Sequence, residues 1–426
     1  MRRLLAITVL AACTPALPRS RGWVSEELVT RTGAELRATT DREFRVPPRV
    51  RLDDGLTTDE AIAIALWNNA GLQADLTQLG VARADLAEAG ALPNPIATLL
   101  FPLGTKQLEL TARWALGALW QRPKRVAAAR GDASRVAEQL VQRGLDLARD
   151  VELACARVTL AETSLVLARE ASALWIKIGE IADAQQRAGD AGAIEVQSLR
   201  ADVAIARATV GQAESELVLA RSELEVLLGA PLGFTGALAP RASIAAAELA
   251  SWLPGLERRP DLRAARFAVE AAGERAGLER RQIVALTGIF DLNGSPLEAG
   301  PGIEVPLPIF DRRQGGRMRA RAELERAHWA HVGLHRQIVR EVSDAHARLV
   351  RALALITSYR DEIVPARLSA RQLAQQAFEQ GEASFLGALE ATRSLVEARR
   401  RLAEAEAEAA RAAAELTRST GGRRAP

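Results

Sequence analysis

Gln107-Leu108-Glu109-Leu110-Thr111-Ala112-Arg113-Trp114-Ala115-Leu116 reads as an extended strand with two unlike faces. Leu108, Leu110, Ala112, Trp114 and Leu116 fall on one side, and Gln107, Glu109, Thr111 and Arg113 on the other. A period of two is the mark of a strand with one apolar face. The run is as long as the roughly 9–11 residues with which a tilted strand crosses a bilayer. Residues 283–292 repeat the pattern, setting Val284, Leu286, Phe290 and Leu292 against Ala285, Thr287 and Asp291. At 303–309, Ile303, Val305, Leu307 and Ile309 alternate with Glu304, Pro306 and Pro308. A fourth stretch of strand character covers 96–103. Four strands cannot close a barrel, and lipid does not tolerate open sheet edges. Several copies must share one, and three copies supply twelve strands around a polar lumen.

The strand pairs belong to a duplication. Leu72 falls on Leu262, Ala74 on Ala264, Ala82 on Ala272 and Leu100 on Phe290, an offset of about 190 residues that also holds in other elements. Trp120-Gln121-Arg122 falls on Phe310-Asp311-Arg312, Ala184-Gln185-Gln186 on Ala374-Gln375-Gln376, and Leu199 on Leu389. In the first copy a helix opens at Thr57-Thr58-Asp59-Glu60, with acidic residues suited to a helix N-terminus, and runs to about residue 91, where Pro93-Asn94-Pro95 ends it. After Pro123 no proline interrupts the chain to about residue 188, so a helix there would be roughly 100 Å long. Gly189-Asp190-Ala191-Gly192 breaks it, and a return helix covers 194–228. The second copy predicts a helix over 260–280, strands over 283–309, a long helix over 317–380, a turn at Gly381-Glu382 and a return helix over 385–418. A linker with Pro231, Pro240 and Pro254 joins the copies.

The first residues read as a secretory signal: Arg2 and Arg3, an apolar core over 4–10, then Leu10-Ala11-Ala12-Cys13. The segment is too short to span a bilayer. It resembles a bacterial lipobox, whose cysteine becomes the lipidated first residue of the mature chain. Thr14, where an inner-membrane lipoprotein usually carries Asp, resembles outer-membrane sorting. With Cys13 carrying lipid, Cys155 is the one thiol left, and no intramolecular disulfide can form. The expected division is a signal peptide at 1–12, a lipid-anchored segment at 13–55, a first repeat at 56–229 with its β-hairpin at 95–117, a linker at 230–259, a second repeat at 260–421 with its β-hairpin at 283–310, and a tail at 422–426.

Composition agrees with long helices. Of 426 residues only 4% are aromatic, and the formal charge is +3, part of which leaves with Arg2 and Arg3. The arginines alternate with Glu and Asp as on solvated helix faces, which speaks against a nucleic-acid partner. Beyond the signal no uncharged apolar run approaches the roughly 20 residues of a membrane helix.

Leu56-Thr57-Thr58-Asp59-Glu60-Ala61-Ile62, Arg259-Pro260-Asp261-Leu262 and Val305-Pro306-Leu307-Pro308-Ile309-Phe310-Asp311-Arg312, in this order on a duplicated frame, resemble the TolC family of outer-membrane efflux channels. The resemblance covers nearly the whole mature chain. It implies a mostly α fold with a small transmembrane β part: duplicated long helical hairpins and four strands per chain, forming a homotrimer with a twelve-stranded barrel and an α-helical periplasmic tunnel. It further implies docking onto a periplasmic adaptor and an inner-membrane pump. Residues 381–391 resemble the second hairpin tip of the family and 193–200 the first. The aperture candidates are therefore Glu390, Gly387, Glu195 and Arg200. Some members carry two acidic positions one turn apart on the second tip; here Gly387 stands at the first and Glu390 keeps the second. The Tyr and Arg of a latch found in some members fall on Phe378 and Ala383, so that latch is absent as such. The first tip and the loop at Gly104-Thr105-Lys106 resemble the heavy-metal-efflux branch more than the drug branch.

No catalytic constellation stands out: there is no phosphate-binding glycine loop after a strand, no Ser-His-Asp set and no Cys pair at metal spacing. The expectation is a conduit and not an enzyme, with no cofactor beyond the lipid on Cys13. His328, His331, His335 and His346 lie within an arc of roughly 60° on one helix. They are weak metal-contact candidates, since no thiol or carboxylate in the pattern completes a set. Two other classes fit less well. A periplasmic adaptor would need Gly-rich β-sandwich or lipoyl-like segments around one hairpin, and a structural coiled-coil lipoprotein would lack alternating strands.

Overall fold

The computed structural model describes residues 15–38, 42–53, 55–101, 108–189, 192–234, 238–239, 253–283, 285–294, 298–380 and 385–422. The described chain is mostly helical. In order it forms α1 (Arg21–Thr32), α2 (Thr58–Asn68), α3 (Ala70–Leu76), α4 (Gln78–Gly90), β1 (Ile96–Leu100), β2 (Glu109–Trp114), α5 (Gly117–Ala188), α6 (Ala193–Leu228), α7 (Pro260–Arg281), β3 (Thr287–Asn293), β4 (Glu298–Glu304), α8 (Gln314–Thr357), α9 (Val364–Glu379) and α10 (Phe385–Ser419). Helix, two strands, long helix and return helix thus occur twice in the same order.

Local chemistry explains where the elements differ from the sequence expectation. The helix expected over 57–91 is three helices. Thr57 opens α2 with a capping box, its hydroxyl accepting from the Glu60 N–H while the Glu60 carboxylate accepts from the Thr57 N–H, so two otherwise unpaired donors are satisfied. At Asn69 the side chain donates to the Leu227 carbonyl at 3.0 Å and accepts from the Leu72 N–H at 3.0 Å. The Thr77 hydroxyl donates to the Ala74 carbonyl at 2.7 Å. Both side chains compete with the helical ladder, and Asn69 also caps the helix that follows it, whereas Thr77 makes no capping bond to α4. The long first-copy helix begins at Gly117 and takes Pro123 within it.

In the second copy the helix expected over 317–380 is interrupted by a π-helical turn at Ser358–Ile363, where the Val364 N–H bonds the Tyr359 carbonyl. Pro365 follows directly, and with no N–H to give it leaves a gap that one wider turn absorbs. α1 has no counterpart in the sequence expectation for 13–55; it buries Val24 and Leu28 completely.

The last strand is also corrected. The expected strand over 303–309 ends at Glu304, and β4 begins earlier, at Glu298. Pro306 and Pro308 cannot donate to a ladder, so Val305, Leu307 and Ile309 keep the alternation without the pairing, and all three are exposed. β2 and β3 are likewise shorter than the alternation implied. Gln107 lies outside the described residues, as do the loop at Gly104-Thr105-Lys106 and Val284.

The chain forms two compact units, each drawing on both repeats. One combines Ala74–Gln142 and Glu257–Gln337 with the N-terminal segment up to Glu27, and holds all four strands. Its interior contains Leu86, Ala137, Leu262, Ala271 and Ala272. The other combines Leu28–Gln73, Arg143–Leu256 and Ile338–Pro426. Its core takes Ile62, Ile64 and Leu66 from α2, Leu224 and Leu228 from α6, Leu349 from α8, and alanines of α10. Gly229 closes α6 at φ +64°, and a Cβ there would meet the Asn68 carbonyl oxygen at 2.5 Å, so the αL cap and the close approach both require glycine.

Candidate functional site

The strands form one antiparallel sheet in the order β1-β2-β3-β4. Leu110 sits between Leu99 and Leu292, Ala112 between Ala97 and Phe290, and Trp114 beside Gly288; on β4, Ile303 faces Gly288, Pro301 faces Phe290 and Ala299 faces Leu292. One face of the sheet therefore carries Ala97, Leu99, Leu110, Ala112, Trp114, Phe290, Leu292 and Ile303 and no charge. On the other, Thr111 lies between Thr98 and Asp291, Glu109 between Leu100 and Asn293, Asn293 faces Glu298, and Thr287 faces Glu304. Every charged residue of the four strands, namely Glu109, Arg113, Asp291, Glu298 and Glu304, lies on this second face. Hydrogen-bonded register thus joins into one sheet the faces read separately from the runs at 107–116, 283–292 and 303–309.

Much of the apolar face is left open by the described residues: Leu99, Trp114 and Phe290 are 41–46% exposed and Ile303 is 70% exposed, while Leu110, Ala112 and Leu292 are half-buried. β1 and β4 each have one unpaired edge. Such a sheet cannot stand in lipid alone, because unpaired backbone groups cost several kcal/mol each in hydrocarbon, by an order-of-magnitude estimate of ~2–7. No described helix is long and apolar enough to cross a membrane.

The hairpin ends lie in the second unit. Ala182 of α5, Val196 and Leu199 of α6 and Leu389 of α10 form a small buried cluster, with Trp175 and Ile178 packed against it. Arg200 pairs with Asp183 at 3.0 Å, joining α6 to α5. Arg393 of α10 reaches Asp202 of α6 at 3.3 Å and lies 4.6 Å above the Trp175 ring of α5, one guanidinium tying three helices. Glu390 and Gly387 are exposed. With Arg393 and Arg200 engaged elsewhere, no ion pair forms at Glu390 among the described residues. The Glu195 and Phe378 side chains and Ala383 lie outside what is described. The Arg393 clamp was not legible beforehand, because an Arg among Glu and Arg on a helix reads as a solvated face.

The histidines do not come together as a metal set. His328 is exposed and packs edge-on to Trp329 at 6.3 Å, and His335 meets Glu257 at 3.8 Å. Among the described residues no group of three or more His, Cys, Asp or Glu is placed to hold a metal ion.

Residues 255–422 match the family model described as outer membrane efflux protein. The chain is 26% identical over 365 residues to the cobalt-zinc-cadmium resistance protein CzcC of Cupriavidus metallidurans, covering 80% of this chain and 84% of that one. Its fold matches the outer membrane protein VceC of Vibrio cholerae with a TM-score of 0.73 at 20% identity, over 86% of this chain and 96% of that one. It also matches a membrane protein of Pseudomonas aeruginosa with a TM-score of 0.74 at 22% identity, over 90% and 100%. A sheet with one charge-free face and two long hairpins on a duplicated frame agree with these likenesses: residues 255–422 are similar to the outer membrane efflux protein family, and the chain shares its fold with VceC and the other solved membrane protein.

Proposed function

We propose that this chain is an outer-membrane exit channel that works as a homotrimer whose three sheets close one twelve-stranded barrel, and that it releases cations handed on by a periplasmic adaptor and an inner-membrane pump. The observation that carries the assembly is the sheet with a charge-free exposed face and two open edges. Edge pairing between copies satisfies the backbone and turns the apolar face to lipid. The second face then lines the lumen, and its four carboxylates against Arg113 alone favour cations. The relative named for cobalt, zinc and cadmium resistance supports divalent metal ions as the cargo.

At the hairpin tips, the exposed Glu390 supports a constriction with one carboxylate per subunit. Three carboxylates around an axis repel one another and attract cations. Single-channel recording of the purified trimer tests this reading. The wild type is expected to prefer cations and to be blocked by multivalent cations added from the side of the hairpin tips, and Glu390→Gln to weaken both. A channel with no charge preference would overturn the cation assignment; unchanged selectivity and block in the variant would remove Glu390 from the constriction.

The covalent lipid on Cys13 belongs to the same proposal. Pro15, two residues further along, packs against Gly90 so closely that a Cβ on Gly90 would lie 2.7 Å from Pro15 Cδ. Gly90 ends α4, six residues before β1 begins, which supports an anchor near the end of the membrane sheet. Cys13→Ser is expected to lose labelling by a fatty-acid probe, and retained labelling would refute the anchor.

A further inference from the structure

Three helix ends meet in the sheet-bearing unit, and arginines gather there in a way that helix capping only half explains. Arg122 Nε donates to the Gly90 carbonyl at 2.6 Å and Arg125 Nη2 to the Ala91 carbonyl at 3.0 Å, closing the C-terminus of α4. Arg281 Nη1, from the last turn of α7, donates to the Trp120 carbonyl at 2.9 Å in the opening turns of α5. Arg280 stands exposed beside it. Each bonded guanidinium uses one of its five donors on these carbonyls, and among the described residues no carboxylate pairs with Arg122, Arg125, Arg280 or Arg281. Lys124, between two of them, is by contrast held by Glu274 at 2.7 Å. The first turn of α5 carries no acidic residue to offset the arginines of its second and third turns. The concentration of positive charge is thus uncompensated among the described residues.

Its position suggests what compensates it. The Gly117 N–H bonds the Leu286 carbonyl at 2.8 Å, joining the start of α5 to the segment that leads into β3, so the patch begins where the sheet ends. Trp114, the last residue of the charge-free face in β2, is 41% exposed, and Leu119 on the first turn of α5 is 46% exposed. Apolar surface, then tryptophan, then arginine is the order in which a protein crosses from hydrocarbon to headgroups. Pro15, close behind Cys13 in sequence, packs on the same Gly90 whose carbonyl Arg122 holds, and Arg122 Nη2 would lie 3.9 Å from a Cβ at that position. We propose that Arg122, Arg125, Arg280 and Arg281 bind the phosphate of anionic phospholipid headgroups at the membrane surface bordering the sheet. The proposal rests on the barrel reading above.

The test uses the full-length, lipidated protein in nanodiscs of phosphatidylcholine alone or of a phosphatidylcholine–phosphatidylglycerol mixture, with insertion verified separately by ion conductance. The wild type is expected to unfold several degrees higher in the anionic discs and to enrich phosphatidylglycerol among co-purified lipids. The combined variant Arg122→Gln, Arg125→Gln, Arg281→Gln should lose most of both effects. Since those three also cap helices, Arg280→Gln, which bonds no carbonyl, is a second probe and should lose part of the enrichment, whereas Arg207→Gln on α6 should lose none. Equal midpoints and lipid contents for wild type in the two discs, or full retention in the combined variant, would overturn the proposal. An equal rise on adding soluble glycerophosphate to neutral discs would overturn the lipid assignment in favour of a free phosphate site. Failure of the wild type to conduct at all would strike the barrel reading and not this patch alone.

Discussion

Glu138 of α5 has no exposed side-chain surface. Arg263 of α7 approaches it at 2.6 Å and Arg19 at 3.6 Å, and Arg19 is itself wedged between the rings of Trp23 at 4.7 Å and Phe267 at 4.4 Å. Burial pushes the Glu138 carboxyl above the ordinary range, against the pull of Arg263 and Arg19. A carboxyl whose folded value exceeds its unfolded one binds more protons when folded, so its contribution to stability is largest at low pH and is lost as pH rises from about 4.3 through the folded value. Glu138→Gln should flatten that part of the pH dependence in circular-dichroism melting of the purified protein, and curves that run parallel for the two proteins would show that Glu138 does not titrate there. Arg263→Ala, by leaving the carboxylate less compensated, should cost about 3–5 kcal/mol. None of this was visible in the sequence, where a Glu among Arg and Gln reads as surface; only the packing of α5 and α7 shows it buried. Thr57 and Glu60 are the opposite case, since a capping box is a local event and four consecutive residues spell it out. There burial acts to raise the Glu60 carboxyl, but hydrogen bonds from the Thr57 hydroxyl and from the backbone N–H groups of Arg51 and Thr57 hold it below the usual range.

Among the elements, the strands show most clearly what alternation does and does not encode. It gives the face of each side chain, because the pleat has a period of two whatever the neighbours do. It does not give the ends of the ladder, which depend on donors: Ile303 to Ile309 keeps its alternation past Glu304, but two prolines withdraw the N–H groups that pairing needs. The long helices were legible for the converse reason, since 36 residues of α6 and 35 of α10 carry no proline and few glycines. Their interruptions elsewhere were not, because Asn69 and Thr77 break a helix only through the carbonyls their side chains find. The face assignment has a direct test. Leu110, between Leu99 and Leu292, should not accept arginine, at a cost of roughly 2–4 kcal/mol near the bilayer midplane. Thr111, between Thr98 and Asp291, should accept it on the polar side. Folded channel recovered from outer-membrane fractions should fall sharply for Leu110→Arg and little for Thr111→Arg; equal recovery of the two would reverse or abolish the assigned faces.

For the whole molecule the unresolved economy is that of edges. β2 and β3 are paired on both sides within the chain, while β1 and β4 are paired on one side only. In water an open edge is a liability, and in hydrocarbon it is prohibitive. The proposed assembly removes both edges at once by laying β4 of one copy against β1 of the next, and a ring of three such contacts closes with no strand left over. A head-to-tail contact that closes makes every copy equivalent and fixes the number of copies. Gly300 and Gly302 of β4 and Thr98 of β1 lie on the polar face, so cysteines there would meet inside the lumen without disturbing the lipid side. Cys155 is buried and Cys13 is taken by lipid in the same proposal, so neither should compete. A chain carrying Thr98→Cys with Gly300→Cys, or Thr98→Cys with Gly302→Cys, is expected under mild oxidation to give a covalent trimer on denaturing gels for whichever pair falls in register, since Cα atoms must come within about 7 Å to bridge. Each single variant should stay monomeric, because one cysteine per copy on one edge has no partner. A ladder continuing beyond three would mean an open array, and monomer alone from both pairs would mean that β1 and β4 are not neighbours in the membrane.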